Sequence, residues 1–99
     1  MAKVRWTREA ETWLREIRDY IAKDSPTAAA RTVQGVVEQA KSLSSFPQRG
    51  YRYRDRPDEN IRIVLYGNYR IPYLIRDSGD IDILGVFHRG LAIERFLGT

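Results

Sequence analysis

Between residues 8 and 23 the apolar positions are Ala10, Trp13, Leu14, Ile17, Tyr20 and Ile21. Their i, i+3, i+4, i+7 spacing is the stripe of an amphipathic helix, with one face to bury and one to wet. Thr7 precedes it as a side-chain cap, and Glu9 and Glu11 complement the positive end of the helix dipole. Asp24-Ser25-Pro26 ends this helix and starts another, with Ser25 as cap and proline at the first helical position, where an N–H is not needed. Ala29, Val33, Val36, Val37, Ala40 and Leu43 form the second stripe. So short a link predicts an antiparallel helical hairpin.

The period then changes. Phe46-Pro47-Gln48-Arg49-Gly50 breaks the helix, and residues 60–66, 69–76 and 81–87 are rich in Ile, Val, Tyr and Leu, as strands are. Gly67-Asn68 and Asp77-Ser78-Gly79-Asp80 separate them and read as hairpin turns. The carboxylates Asp77, Asp80 and Asp82 around the second turn read as turn formers and solvated charge. Lys3-Val4-Arg5-Trp6 alternates and predicts a short strand at a sheet edge. Together these predict an α+β fold, an N-terminal strand and a helical hairpin packed on a small antiparallel β-sheet. Pro72, inside a strand, demands a bulge or a position whose N–H would point away from the ladder. A strict two-residue turn at Gly67-Asn68 pairs Leu65 with Arg70 and puts Arg62 on the opposite face beside Tyr73. A one-residue bulge there would instead bring Arg62 to the side of Arg70.

Composition narrows the function classes. The 99 residues suit one domain, residues 1–99. A chain that is 42% hydrophobic and 30% charged belongs with folded globular proteins. No apolar run approaches the ~20 residues that span a bilayer, and the N-terminus lacks the apolar core of a secretory signal, so a cytoplasmic protein is expected. The absence of cysteine excludes disulfides, thiol catalysis and Cys-based zinc sites, and the single histidine, His88, argues against a His-based one. No phosphate-cradling glycine loop, dinucleotide fingerprint or HExxH pattern occurs, so neither cofactor nor metal is expected.

Charge adds a direction. The net charge is +4, and every base except Lys3, Lys23 and Lys41 is arginine. That skew suits bidentate contact with phosphates or carboxylates, and equally a solvated surface. Two groupings carry candidate chemistry. Arg49, Tyr51, Arg52, Tyr53, Arg54 and Arg56 interleave guanidinium groups with phenol rings. Such a segment suits single-stranded nucleic acid, an acidic protein partner, or an edge whose charges block aggregation. Arg70 begins one predicted strand and His88-Arg89 ends another, at one end of the meander. An imidazole beside guanidinium groups supplies the acid–base function and the cation that ribonuclease chemistry needs. The structural alternative makes Arg70 a carboxylate ligand within the fold and His88 a sheet-end residue. Trp13 and Tyr20 either belong to the core or line an apolar groove beside the helices.

The order of several short motifs is informative as a set. Val4-x-Trp6-Thr7, Tyr20-Ile21-Ala22 with Asp24-Ser25-Pro26-x-Ala28-Ala29, and Phe46-Pro47-x-x-Gly50 are followed by Tyr69-Arg70-Ile71-x-Tyr73 and Ile83-Leu84-x-Val86-Phe87-His88-Arg89. Over nearly its full length the chain resembles the ParE/RelE superfamily of type II toxin–antitoxin toxins, and its helix and Val-Phe-His motifs look closer to the ParE branch. The resemblance implies a small toxin blocked by a cognate antitoxin, with DNA gyrase as the target of a ParE-like member. A RelE-like member would instead cut mRNA in the ribosome, with Arg70 and His88 as catalytic candidates and Arg62 and Arg89 in support. A non-toxic antitoxin-binding module is the third reading. The lysines that assist RelE-type cleavage and a C-terminal tyrosine are absent, which favours gyrase inhibition without catalysis. The segment Arg49, Tyr51, Arg52, Tyr53, Arg54 and Arg56 is expected to contact the partner.

Overall fold

A computed structural model describes residues 2–97. The elements are β1 (Val4–Trp6), α1 (Arg8–Ala22), α2 (Pro26–Ser42), β2 (Tyr51–Arg52), β3 (Ile61–Tyr66), β4 (Tyr69–Ile75), β5 (Ile81–Ile83), β6 (Phe87–His88) and α3 (Glu94–Leu97). They form one sheet of order β1-β5-β4-β3-β2, with β6 also paired to β4. Both helix starts follow the sequence. The Thr7 side chain accepts from the Ala10 amide at 3.1 Å, and that of Ser25 accepts from Ala28 at 3.1 Å.

The N-terminal strand lies at the edge, as expected, but pairs parallel with β5, so the sheet is mixed rather than wholly antiparallel. Thr7 is the hinge of this arrangement. Its hydroxyl donates to the Ile83 carbonyl at 2.7 Å while accepting from Ala10, so one side chain caps α1 and moors it to β5.

The turn at Gly67-Asn68 is the strict two-residue form, pairing Leu65 with Arg70 and Arg62 with Tyr73. Gly67 takes the left-handed φ of 54° that a tight hairpin needs. The third predicted strand is interrupted. On β4 three steps separate Arg70 from Tyr73, but on the facing chain four steps separate their partners Phe87 and Ile83. This one-residue bulge sits opposite Pro72, which has no N–H to give; its carbonyl accepts from Leu84 at 2.9 Å. The Ile75 amide donates toward β3, to Asn60, so by alternation the Pro72 nitrogen faces the bulged side.

Both sheet faces are buried, against an expectation of one. The helical hairpin lays Ala10, Val36, Ala40 and Leu43 over Val64, Ile71, Tyr73, Ile81 and Ile83. Gly35 admits β3 closely: a Cβ there would stand 1.9 Å from the Tyr66 hydroxyl oxygen. On the opposite face Tyr53, Ile93 and Leu97 cover Ile61, Ile63 and Phe87. Trp13 belongs to this second cluster, its ring 4.8 Å from Phe87 and 4.9 Å from Phe96. Tyr20 and Val37 are exposed, so neither is core. In α2 the fully buried stripe narrows to Ala29, Val36, Ala40 and Leu43, because Val33 and Val37 line a surface groove between the helices and β1.

Asp82 is not solvated turn charge but a buried carboxylate. Arg5 reaches it with two nitrogens at 3.1 and 3.2 Å, and Arg76 with Nε at 2.6 Å, joining β1, β5 and the end of β4. Burial pushes the carboxyl up, but the hydrogen bonds from Arg76 and Arg5 and their charges outweigh it and hold the group below its ordinary value. Its contribution to stability is therefore complete above the unfolded-state value and lost as pH falls through the folded one. Asp82→Asn is expected to cost about 1–3 kcal/mol at neutral pH, with the difference from wild type shrinking below about pH 4 in urea titrations. Gly50→Ala is expected to cost about 1–3 kcal/mol by the same measurement, because the new Cβ would meet the Ile63 carbonyl oxygen at 2.7 Å and the Tyr73 ring at 2.9 Å.

Candidate functional site

The residues that sequence reasoning grouped as a nuclease site are neighbours in the sheet that point apart. Residues directly opposite in a ladder share a face. Arg70 faces Phe87 and His88 faces Tyr69, so the imidazole lies on the helix side and the guanidinium on the other. In an unbroken ladder Val86 would sit opposite Arg70, and His88, two residues on, would share its face. The bulge at Pro72 shifts the register by one residue and turns the imidazole away. His88 stands edge-on to Tyr69, ring centroids 5.8 Å apart, and its Nδ1 accepts from the Gly90 amide at 3.2 Å.

Arg62 does not join Arg70 either. It lies across from Tyr73, and its Nη1 donates to the Gly50 carbonyl at 2.7 Å. The Tyr73 hydroxyl accepts from the Gly50 amide at 2.9 Å and donates to the Pro47 carbonyl at 2.6 Å, and burial pushes this phenol up. Arg62 and Tyr73 thus tie the loop before β2 to the sheet. Arg70 donates to the Leu91 carbonyl and so holds the segment that leads to α3. Arg89 is exposed; its backbone amide donates to Asn68.

The arginine–tyrosine segment divides as well. Tyr53 is 6% exposed and packs in the core of the second face, so its ring is not open to stack on a partner. Burial, followed by Asp55 and Glu94, raises its phenol. Arg56 pairs with Glu59 and donates to the Leu97 carbonyl. Arg49 reaches the Ser42 hydroxyl at 3.0 Å. Tyr51, Arg52 and Arg54 remain exposed, on or beside the edge strand β2. Alternation puts Tyr51 and Tyr53 on one face of the strand and Arg52 on the other, and the pairing of Tyr51 with Ile63 and of Arg52 with Arg62 tells which way each set faces.

Two concavities complete the surface. A groove of about 420 Å³ runs between the helices and β1, with Trp6, Leu14, Val33 and Val37 as its apolar lining and Glu11, Arg15 and Arg18 as its charged lining. It is the groove expected beside the helices, but neither Trp13 nor Tyr20 lines it. A cavity of about 820 Å³ lies between Phe46, Pro47, Asn60, Ile75 and Gly79, with Arg49 as its one ionisable group. No group of three His, Cys, Asp or Glu that could hold a metal occurs among the described residues. Among them, no helix is long and apolar enough to cross a membrane.

This architecture has close counterparts. A family model described as the ParE toxin of the type II toxin–antitoxin system parDE matches residues 4–91. The toxin RelE2 of Caulobacter vibrioides is 36% identical over 88 residues, spanning 89% of this chain and 96% of its own. Among solved structures, the chromosomal ParDE toxin–antitoxin system of P. aeruginosa superposes with a TM-score of 0.69 at 25% identity, covering 89% of this chain and 96% of that one. The toxin–antitoxin complex RelBE2 of Mycobacterium tuberculosis gives 0.64 at 32% identity, covering 89% and 98%. With its mixed sheet, helical hairpin and motif order matched from β1 to the end of β6, the chain belongs to the ParE family of type II toxin–antitoxin toxins.

Proposed function

We propose that this toxin acts by binding rather than by cutting, that its target is DNA gyrase, and that a cognate antitoxin neutralises it. The observation that carries the reading is the placement of Arg70 and His88 on opposite faces of the sheet. General acid–base catalysis at a phosphate needs the acid or base within hydrogen-bond reach of the atom that the cation stabilises. Two groups separated by the sheet do not meet that condition, and Arg62 is engaged with the Gly50 carbonyl. A binding mode asks only for a stable surface with complementary charge. Such a target places the toxin in the cytoplasm.

For the antitoxin, the groove lined by Trp6, Leu14, Val33 and Val37 suits the apolar face of an amphipathic helix, and Arg15 and Arg18 suit acidic residues flanking it. The similarity to two toxin–antitoxin systems supports a partner of this kind. The likeness to RelE2 and RelBE2 favours the second reading, a ribosome-dependent mRNA endonuclease using Arg70 and His88.

Purified toxin titrated into a gyrase supercoiling assay is expected to inhibit it, and His88→Ala is expected to leave the inhibition within about twofold. Unimpaired supercoiling at saturating toxin would overturn the gyrase reading. Cleavage of ribosome-bound mRNA that is abolished by His88→Ala would establish the endonuclease instead.

A further inference from the structure

The break in the chain after α2 leaves apolar side chains where water reaches them. Phe46 is 63% exposed, and with Pro47 it walls the cavity of about 820 Å³. The floor is Asn60 and Ile75, joined where the Ile75 amide donates to the Asn60 carbonyl at 2.9 Å. This loop is not free to fold its apolar groups away. The Tyr73 hydroxyl accepts from the Gly50 amide and donates to the Pro47 carbonyl, and Arg62 donates to the Gly50 carbonyl. The recess is therefore built in advance, and a ligand entering it need not order the loop.

Its polar groups are few and open. Gln48 and Asn60 are exposed amides whose side chains make no hydrogen bond among the described residues. Each offers both donors and an acceptor. Arg49 is the one ionisable group among the described lining residues. Its Nη1 donates to the Ser42 hydroxyl at 3.0 Å, which orients the guanidinium and leaves other N–H groups open. Arg62, two residues beyond Asn60 on the same strand face, has its Nε buried without an acceptor. Neither arginine forms an ion pair among the described residues, so the positive charge here is uncompensated. Apolar walls, two unused amides and one accessible cation, in a space of this size, are the makings of a small-molecule site.

We propose that this recess binds an adenine mononucleotide. The base lies against Phe46 and Ile75, an amide of Gln48 or Asn60 meets its N6 and N7 edge, and the phosphate meets Arg49. An aromatic carboxylate would use the walls and Arg49 but leave both amides unanswered. A nucleic-acid strand calls for a row of cations, and this recess has one. The groove beside the helices shares no lining residue with it, and the proposal stands independently of the gyrase reading.

Isothermal titration calorimetry of the full-length toxin with adenosine 5′-monophosphate is expected to give saturable binding of one nucleotide per chain. Adenosine and ribose 5-phosphate, each lacking one half of the ligand, are expected to bind at least about tenfold more weakly. Arg49→Gln is expected to weaken the nucleotide about tenfold and leave adenosine within about twofold, whereas Phe46→Ala weakens both. Arg54→Gln, at an exposed arginine outside the recess, is expected to change nothing. Phe46 and Arg49 are exposed, and far-ultraviolet circular dichroism melts check that each variant is folded. The proposal is overturned by no saturable binding at millimolar nucleotide, or by an affinity that Arg49→Gln leaves unchanged. Ribose 5-phosphate binding as tightly as the nucleotide, or an equal loss with Arg54→Gln, reduces the effect to general charge and overturns it too. So does an oligoadenylate that binds over about tenfold more tightly than the mononucleotide and is lost with Arg49→Gln, which would make the recess part of a strand-binding track. Calorimetry reads the recess directly and supercoiling reads the target, so either reading can fail while the other stands.

Discussion

A single missing hydrogen-bond donor shapes this protein's surface. Pro72 sits in the middle of β4 with no N–H to offer the neighbouring chain, and that chain responds by inserting one extra residue between Ile83 and Phe87. The side-chain period of a strand is two, so one residue is enough to exchange its faces. Phe87 is thereby delivered to the face of Arg70, where it joins Ile61, Ile63, Ile93 and Leu97 in a second core. His88 goes to the helix side, next to Tyr69. An apolar ring of that size stabilises by roughly 1.5–3 kcal/mol when buried, whereas an exposed imidazole at the same position would bring little. The bulge thus trades a potential acid–base pair for packing.

The second core has a consequence for the arginines. It requires the irregular chain after β6 and the loop around Tyr53 to lie across a sheet face, where their carbonyls lack ladder partners. Arg70 satisfies the Leu91 carbonyl and Arg56 that of Leu97, while Arg62 on the other face does the same for Gly50. A guanidinium has several donors fixed in a plane and stays charged, so it can hold a carbonyl while keeping further N–H groups for water or an anion. The abundance of arginine over lysine is therefore partly structural. Arg49, Arg52, Arg54, Arg89 and Arg95 carry most of the exposed positive charge on the strand half of the chain.

The edges of the sheet are managed differently. The β1 side is clamped by Asp82, whose two oxygens bring together Arg5 and Arg76 from elements far apart in sequence. The β2 side is short and bears exposed arginines, which guards against chance strand pairing. The helix groove is lined by Trp6, Leu14, Val33 and Val37 beside its charged residues, whereas Tyr51, Arg52 and Arg54 stand exposed at the β2 edge.

The sequence by itself determined the local structure, because local causes suffice there. Caps at Thr7 and Ser25, Pro26 at a helix start, apolar stripes at helical spacing and the Gly67-Asn68 turn each act within a few residues, and α1, α2 and the β3–β4 hairpin follow from them. The motif order was likewise enough to identify the toxin family. Side-chain direction across the sheet was decided only by tertiary structure. Pro72 announced a bulge or an outward-facing position, but which of the two, and on which strand, depends on the partner chain. So the opposed placement of Arg70 and His88 could not be derived from spacing. Tyr53 and Asp82 differ from their sequence context for a related reason: a phenol in a basic run and a carboxylate beside a turn look solvated until a facing element buries them. In Asp82 a local signal existed, since a charge between Ile81 and Ile83 in an apolar strand needs a partner; Arg76, six residues away, and Arg5, at the other end of the chain, supply it.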